Sequence, residues 1–192
     1  MRKAVLRAAA FTVIAVIHAA IAAAPLSLDA LMDMLRRERP ATVHFNETRE
    51  MALLDRPLES SGELTFTPPD RLEKRTTSPG SERLVVEGDT LVMERAGRRQ
   101  AASLRQWPQV AAMLEGIRAT LAGDRPRLEQ VYRVTLEGDA AGWRLVLVPR
   151  DAEVAKIVAR VTLGGVEGSV RRVEIDQADG DRSLMQIAPR GR

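Results

Sequence analysis

Short runs that alternate apolar and polar residues, parted by turns rich in Gly, Pro and Asp, fill most of this chain. One amphipathic segment interrupts them near the middle. Period-two alternation places successive side chains on opposite faces of a strand, so each run has one buriable face. Val43 and Phe45 share a face, with His44 and Asn46 opposite. Ser60, Gly62, Leu64 and Phe66 continue the alternation up to Pro68-Pro69. Leu72 to Thr76 reads as a third strand. Leu84-Val85-Val86 and Leu91-Val92-Met93 flank Glu87-Gly88-Asp89, a tight hairpin signal, and Arg98 to Leu104 pairs next. After the interruption, Tyr132, Val134 and Leu136 alternate up to Gly138-Asp139. Trp143, Leu145 and Leu147 alternate up to Pro149, and Val161 and Leu163 lead to a turn at Gly164-Gly165. Val173 and Ile175, a turn at Gly180, and Leu184 to Ile187 complete ten or eleven strands. Strands adjacent in sequence and joined by short turns curl into antiparallel sheets or barrels.

Two helices of note are expected. Ser27 caps the first, Leu28, Leu31, Met32 and Leu35 recur at helical spacing, and Pro40 stops it. In the interrupting segment Val110, Met113, Leu114, Ile117 and Leu121 form one apolar stripe, with Gly123 as the stop. Shorter helical pieces fit around Leu128 and from Ala152 to Ile157.

The first 22 residues read as a signal peptide: Arg2, Lys3 and Arg7 precede an apolar run from Ala8 to Ala22. That run is shorter than the roughly 20 apolar residues of a membrane span. Small residues at Ala20 and Ala22 suit cleavage, leaving residues 25–192 as one domain. The chain has no cysteine, so no lipid-anchored cysteine, disulfide or thiol chemistry is expected. The expected location is the periplasm.

Removing the leader takes three basic residues and no acidic one from the 29 basic and 26 acidic present. The remainder is formally neutral, and its arginines alternate with glutamates. A nucleic-acid partner needs a clustered positive field, so none is expected. With six aromatic residues in all, stacking platforms are poorly supplied.

The catalytic inventory is thin. His44 is the only histidine after the leader, and no nucleophile motif accompanies it. An esterase built on His44 is the rival reading; the expectation is no enzyme, no metal and no cofactor. Asp179-Gly180-Asp181 invites a calcium reading, but it falls where the pattern places a turn.

Ser61-Gly62-Glu63-Leu64-Thr65-Phe66, then Pro69-Asp70-Arg71-Leu72, then Leu84 to Met93 resemble the periplasmic outer-membrane lipoprotein carrier family, the LolA-like proteins. Phe45-Asn46-Glu47-Thr48 is similar to that family's first strand. Leu121-Ala122-Gly123-Asp124 and Trp143 to Pro149 are similar to a divergent branch. The resemblance implies a mainly β (α+β) fold: an open antiparallel β half-barrel of about eleven strands with an α-helical lid over a hydrophobic cavity. It implies a monomeric carrier of acylated lipoprotein or lipid cargo, served by an inner-membrane transporter as donor and an outer-membrane acceptor. Such a carrier has a physical reason to exist. Each buried methylene contributes about 0.8 kcal/mol, so a 16-carbon chain costs on the order of 12 kcal/mol to leave in water. A lipid-sensing regulatory module, and an accessory carrier in export of a polyene pigment or glycolipid, are the alternatives the resemblance leaves open.

On this reading Phe45, Leu64, Phe66, Leu72, Val85, Leu91, Met93, Val134, Leu145, Leu147 and Val173 face inward to line the cavity, and Leu114, Ile117 and Leu121 cover it. One departure stands out. The family often carries an arginine just before the corner proline, which helps hold the lid closed. Here that place is Pro68, so the lid is expected to lack this latch.

Overall fold

The computed structural model describes residues 25–38 and 41–189. The proposed leader and Pro40 lie outside them. Helix α1 (Leu28–Arg37) leads into six strands: β1 (Ala41–Glu50), β2 (Leu58–Thr67), β3 (Arg71–Ser78), β4 (Glu82–Glu87), β5 (Thr90–Arg95) and β6 (Arg98–Ser103). A 3-10 turn at Leu104–Gln106, helix α2 (Pro108–Leu121) and helix α3 (Arg125–Val131) follow. The second run is β7 (Tyr132–Asp139), β8 (Gly142–Pro149), the short helix α4 (Ala152–Ala155), β9 (Val158–Val166), β10 (Ser169–Gln177) and β11 (Arg182–Ile187).

All eleven strands form one sheet in the order β6-β5-β4-β3-β2-β1-β11-β10-β9-β8-β7, and every neighbouring pair is antiparallel. The first and second runs are each a meander. β1 against β11 joins them. The sheet is strongly curved. Leu84 of β4 and Leu163 of β9 line one cavity, yet six strand steps separate them, about 29 Å on a flat sheet.

The helices sit over one part of this curve. Ser27 caps α1, its Oγ accepting from the Ala30 amide at 3.2 Å, as its place before the apolar run predicts. Leu31, Met32 and Leu35 of α1 are buried, and with Leu128, Tyr132, Trp143, Leu145, Leu147, Val161 and Leu163 they form the core. α2 begins on Pro108, whose missing N–H costs nothing at a helix start, and Gly123 at φ +64° follows its end. Gly116 seats α2 on this core: a Cβ there would lie 2.7 Å from the Tyr132 ring. The Tyr132 hydroxyl, donating to the Ala112 carbonyl at 2.9 Å, holds the same contact.

One turn differs from expectation. β9 runs straight through Gly164 and Gly165 to Val166 and turns at Glu167-Gly168. The glycines serve packing instead of turning. A Cβ on Gly165 would stand 2.3 Å from the Trp143 indole, whose N–H donates to the Glu167 carbonyl at 2.8 Å.

Candidate functional site

A cavity of about 220 Å³ lies between the curved sheet, α2 and the end of α1. By the same measure a single water needs about 10–15 Å³, so this is far more than a packing defect. Its lining is chiefly aliphatic. Val43, Leu64, Phe66, Leu72, Leu84 and Val86 come from β1 to β4. Val173, Ile175, Met185 and Ile187 come from β10 and β11, and Leu114, Ile117 and Leu121 roof it from α2.

The structure brings Leu64, Phe66, Leu72, Val173, Leu114, Ile117 and Leu121 of the expected lining together around this cavity. Phe45 lies on the same face of β1 as Val43 and Glu47 but is buried, and the Lys74 ammonium sits 4.9 Å from its ring centroid. Leu91 and Met93 share the cavity face, paired with Val86 and Leu84, but stand beyond the lining, and Met93 is exposed. Leu145 and Leu147 are fully buried in the core beneath the helices, with Val134 packed against them. They are therefore packed core, not cavity wall. Val85 is a correction. β4 turns Leu84 and Val86 to the cavity, so Val85 faces the other side of the sheet, with Val92, Arg71 and Arg83. With three apolar residues in a row, alternation alone could not choose the face.

On α2 the apolar stripe is half of the account. Its buried residues are Gly116, Arg118, Ala119 and Thr120, while the stripe residues Leu114, Ile117 and Leu121 face the cavity and Val110 is exposed. Arg118 is the residue the sequence reading missed. Its guanidinium donates to the Gly88 carbonyl at 2.8 Å, to the Asp70 carbonyl at 3.4 Å and to Glu115 at 3.0 Å. Gly88 is in the β4–β5 turn and Asp70 in the β2–β3 turn, which are themselves joined by the Gly88 amide donating to the Asp70 carboxylate at 3.0 Å. Arg127 of α3 pairs with Glu115 from the other side. The latch expected at Pro68 is absent, but the roof helix is tied to the rim by Arg118 instead. The arginine is on the helix instead of the sheet. An arginine inside an apolar stripe reads as a solvated side chain, and only the tertiary fold shows the carbonyls it meets.

Polar groups break the aliphatic wall in two places: Glu38, Ser169 and Arg171 where α1 ends and β10 begins, and Glu47, Lys74 and Ser183 on β1, β3 and β11. Glu47 and Lys74 form an ion pair. Glu47 also accepts from the Ser183 hydroxyl at 2.7 Å and the Ser60 hydroxyl at 3.2 Å, with Arg49 at 3.5 Å. Burial alone would raise the Glu47 carboxyl. The hydrogen bond and charge of Lys74, with Ser183 and Arg49, outweigh it and hold the carboxyl below its ordinary value.

His44 lies on the exposed face of β1, opposite Glu63. Asp179 and Asp181 make turn bonds, the Asp181 amide donating to Asp179 and the Ala52 amide to Asp181. Among the described residues no cluster of His, Asp and Glu has metal-binding geometry, and no helix is long and apolar enough to cross a membrane.

The cavity and its roof invite comparison with known proteins. Among curated proteins none matches this chain. Among solved structures, a LolA superfamily protein from Nitrosomonas europaea is 13% identical, with 84% of this chain and 90% of that chain covered and a TM-score of 0.45. The lipoprotein LppX of Mycobacterium tuberculosis is 10% identical over 84% of this chain and 93% of its own, with a TM-score of 0.43. A chain of the MucA/MucB complex of Pseudomonas aeruginosa is 16% identical over 86% of this chain and 57% of its own, with a TM-score of 0.33. A family model described as outer membrane lipoprotein carrier protein LolA-like matches residues 20–190. The chain belongs to that LolA-like family, named for carriage and not for catalysis.

Proposed function

We propose that this protein is a periplasmic carrier that shields the acyl chains of lipoproteins or lipids on their way towards the outer membrane. A cleaved leader at residues 1–22 would deliver it there, as a single domain from residue 25. The observation that carries this reading is the aliphatic cavity enclosed between the half-barrel and α2. Its walls offer apolar area and few specific bonds, which suits a cargo that is held by burial and must be released. Membership of a carrier family agrees. A membrane transporter that loads it and an outer-membrane acceptor that unloads it are the partners such a role requires.

Uptake of a fluorescent fatty acid by the purified protein tests the proposal. Wild type should bind it, and Leu64→Glu should abolish binding while the protein still melts cooperatively, because a cavity open to water can hydrate the new carboxylate. If the same change unfolds the protein and the wild type takes up no acyl chain, the space is ordinary core and the carrier reading fails.

A further inference from the structure

Two cations line the chiefly aliphatic cavity, Arg171 and Lys74, and Lys74 is the one set between aliphatic side chains of the sheet. Its neighbours across the sheet are Leu64 and Leu84, and all three line the cavity. Its partner Glu47 is saturated: one carboxylate oxygen accepts from Lys74 and Ser60, and the other meets Ser183 and Arg49. Lys74 is not saturated. Its ammonium carries three donors, spends one on Glu47 and lies against the face of Phe45. Its side chain keeps 23% exposure, against 8% for Glu47. Stability does not explain the pair, since apolar residues of similar volume in place of a buried ion pair are often neutral or stabilising. Ser60, Ser183 and Arg49 supply Glu47 with partners and fix where its charge lies, and Glu47 in turn fixes Lys74 at the cavity wall.

We infer that Lys74 is the head-group anchor of the cavity, holding an anionic oxygen at the end of a single acyl chain whose tail lies along Leu64, Leu84 and the α2 roof. The inference rests on the acyl-carrier reading and adds the class of cargo end that the site selects. A carboxylate and a phosphate monoester share the required chemistry. Either would accept the donors Lys74 has left and gain a charge-assisted bond.

Four probes with the same chain length test this: palmitate, 1-palmitoyl lysophosphatidate, hexadecanol and methyl palmitate, each titrated by displacement of a fluorescent fatty acid. Wild type should bind at least one of the two anions about tenfold or more tighter than the two neutral probes. The tighter anion identifies the head group as carboxylate or phosphate. Lys74→Met should lose the preference, binding neither anion tighter than the two neutral probes. Lys74→Arg should keep it. Equal affinities for anionic and neutral probes in the wild type overturn the assignment without reference to any variant, as does a preference that survives Lys74→Met. If the wild type binds none of the four, the carrier reading falls and the anchor with it, a result distinct from binding without preference.

Discussion

Leu145 and Leu147 on β8, and Leu64 and Leu84 on β2 and β4, are inward aliphatic residues of one continuous sheet. The β8 pair is fully buried under Leu31, Met32, Leu35 and Tyr132. The β2–β4 pair faces a void roofed by Leu114, Ile117 and Leu121. Strand geometry does not separate the two regions, for in both successive residues point to opposite faces. What separates them is which helices lie above. α1 and α3 press their apolar faces onto the β7–β9 region, where α2 also packs through Gly116 and Ala119, while Leu114, Ile117 and Leu121 of α2 and the end of α1 border the cavity beside β1–β4. One part of the sheet is therefore filled core, and the other borders a cavity.

The largest expected effect comes from truncating each kind of residue. Leu147→Ala should cost about 2–5 kcal/mol of stability, because the site is closed and the hole remains. Leu84→Ala should cost about 1 kcal/mol or less, since its side chain already borders empty space, but it should weaken acyl uptake. Chemical denaturation of both variants decides: equal losses would mean that the two regions are packed alike.

Next comes the tie between roof and rim. Arg118→Met removes the bonds to Gly88 and Asp70 and leaves those carbonyls short of a partner, at a cost of about 1–3 kcal/mol. Amide hydrogen exchange should rise along α2 and in the β4–β5 turn while β8 and β9 stay protected. Uniform loss of protection would show that the Arg118 tie supports the whole fold and not the roof alone.

The smallest effect is with pH. The folded carboxyl of Glu47 lies below the ordinary 4.5. Its contribution to stability is complete above that value and is lost as pH falls through the lowered one. Glu73 and Glu174 are shifted the same way by Arg83 and by Arg172 and Arg182, against burial in each case. Melting temperature should therefore drop as the solution is acidified below pH 4.5. Glu47→Gln should flatten part of that slope, and an unchanged slope would show that the cavity-wall pair contributes nothing to it.

This division of the sheet also explains what could be read from the residues alone. Strand positions followed from alternation and turn residues, because both act within a few positions of the chain. Leu64, Phe66 and Leu72 could be assigned to an inward face for the same reason. Leu145 and Leu147 stand in a continuous apolar run, Leu145-Val146-Leu147-Val148, and the residues that fill the space above them come from α1, more than a hundred positions away, and from α2 and α3. Val85 shows a different limit, since Leu84-Val85-Val86 contains no polar residue to mark a face. Arg118 and the Glu47–Lys74 pair show a third. A charged residue reads as solvated until tertiary structure places Gly88 beside one and Ser183 beside the other.

The two edges of the sheet are β6 and β7, which are neighbours in the chain. Residues 104–131 therefore start at one edge and finish at the other, as a bowstring joins the tips of a bow. Eleven strands laid flat would be about 48 Å across. The 14 residues of α2 rise only about 21 Å and the 7 of α3 about 10 Å. A flat sheet would have to draw the turns on either side of α2 into extended chain and align both helices end to end. The string is what keeps the bow bent. The same segment that covers the cavity also sets its curvature, so it cannot swing aside like a door hinged at one end. On the carrier reading, making room for a bulkier cargo would require the arc to flex, within a limit set by the length of this one stretch of chain.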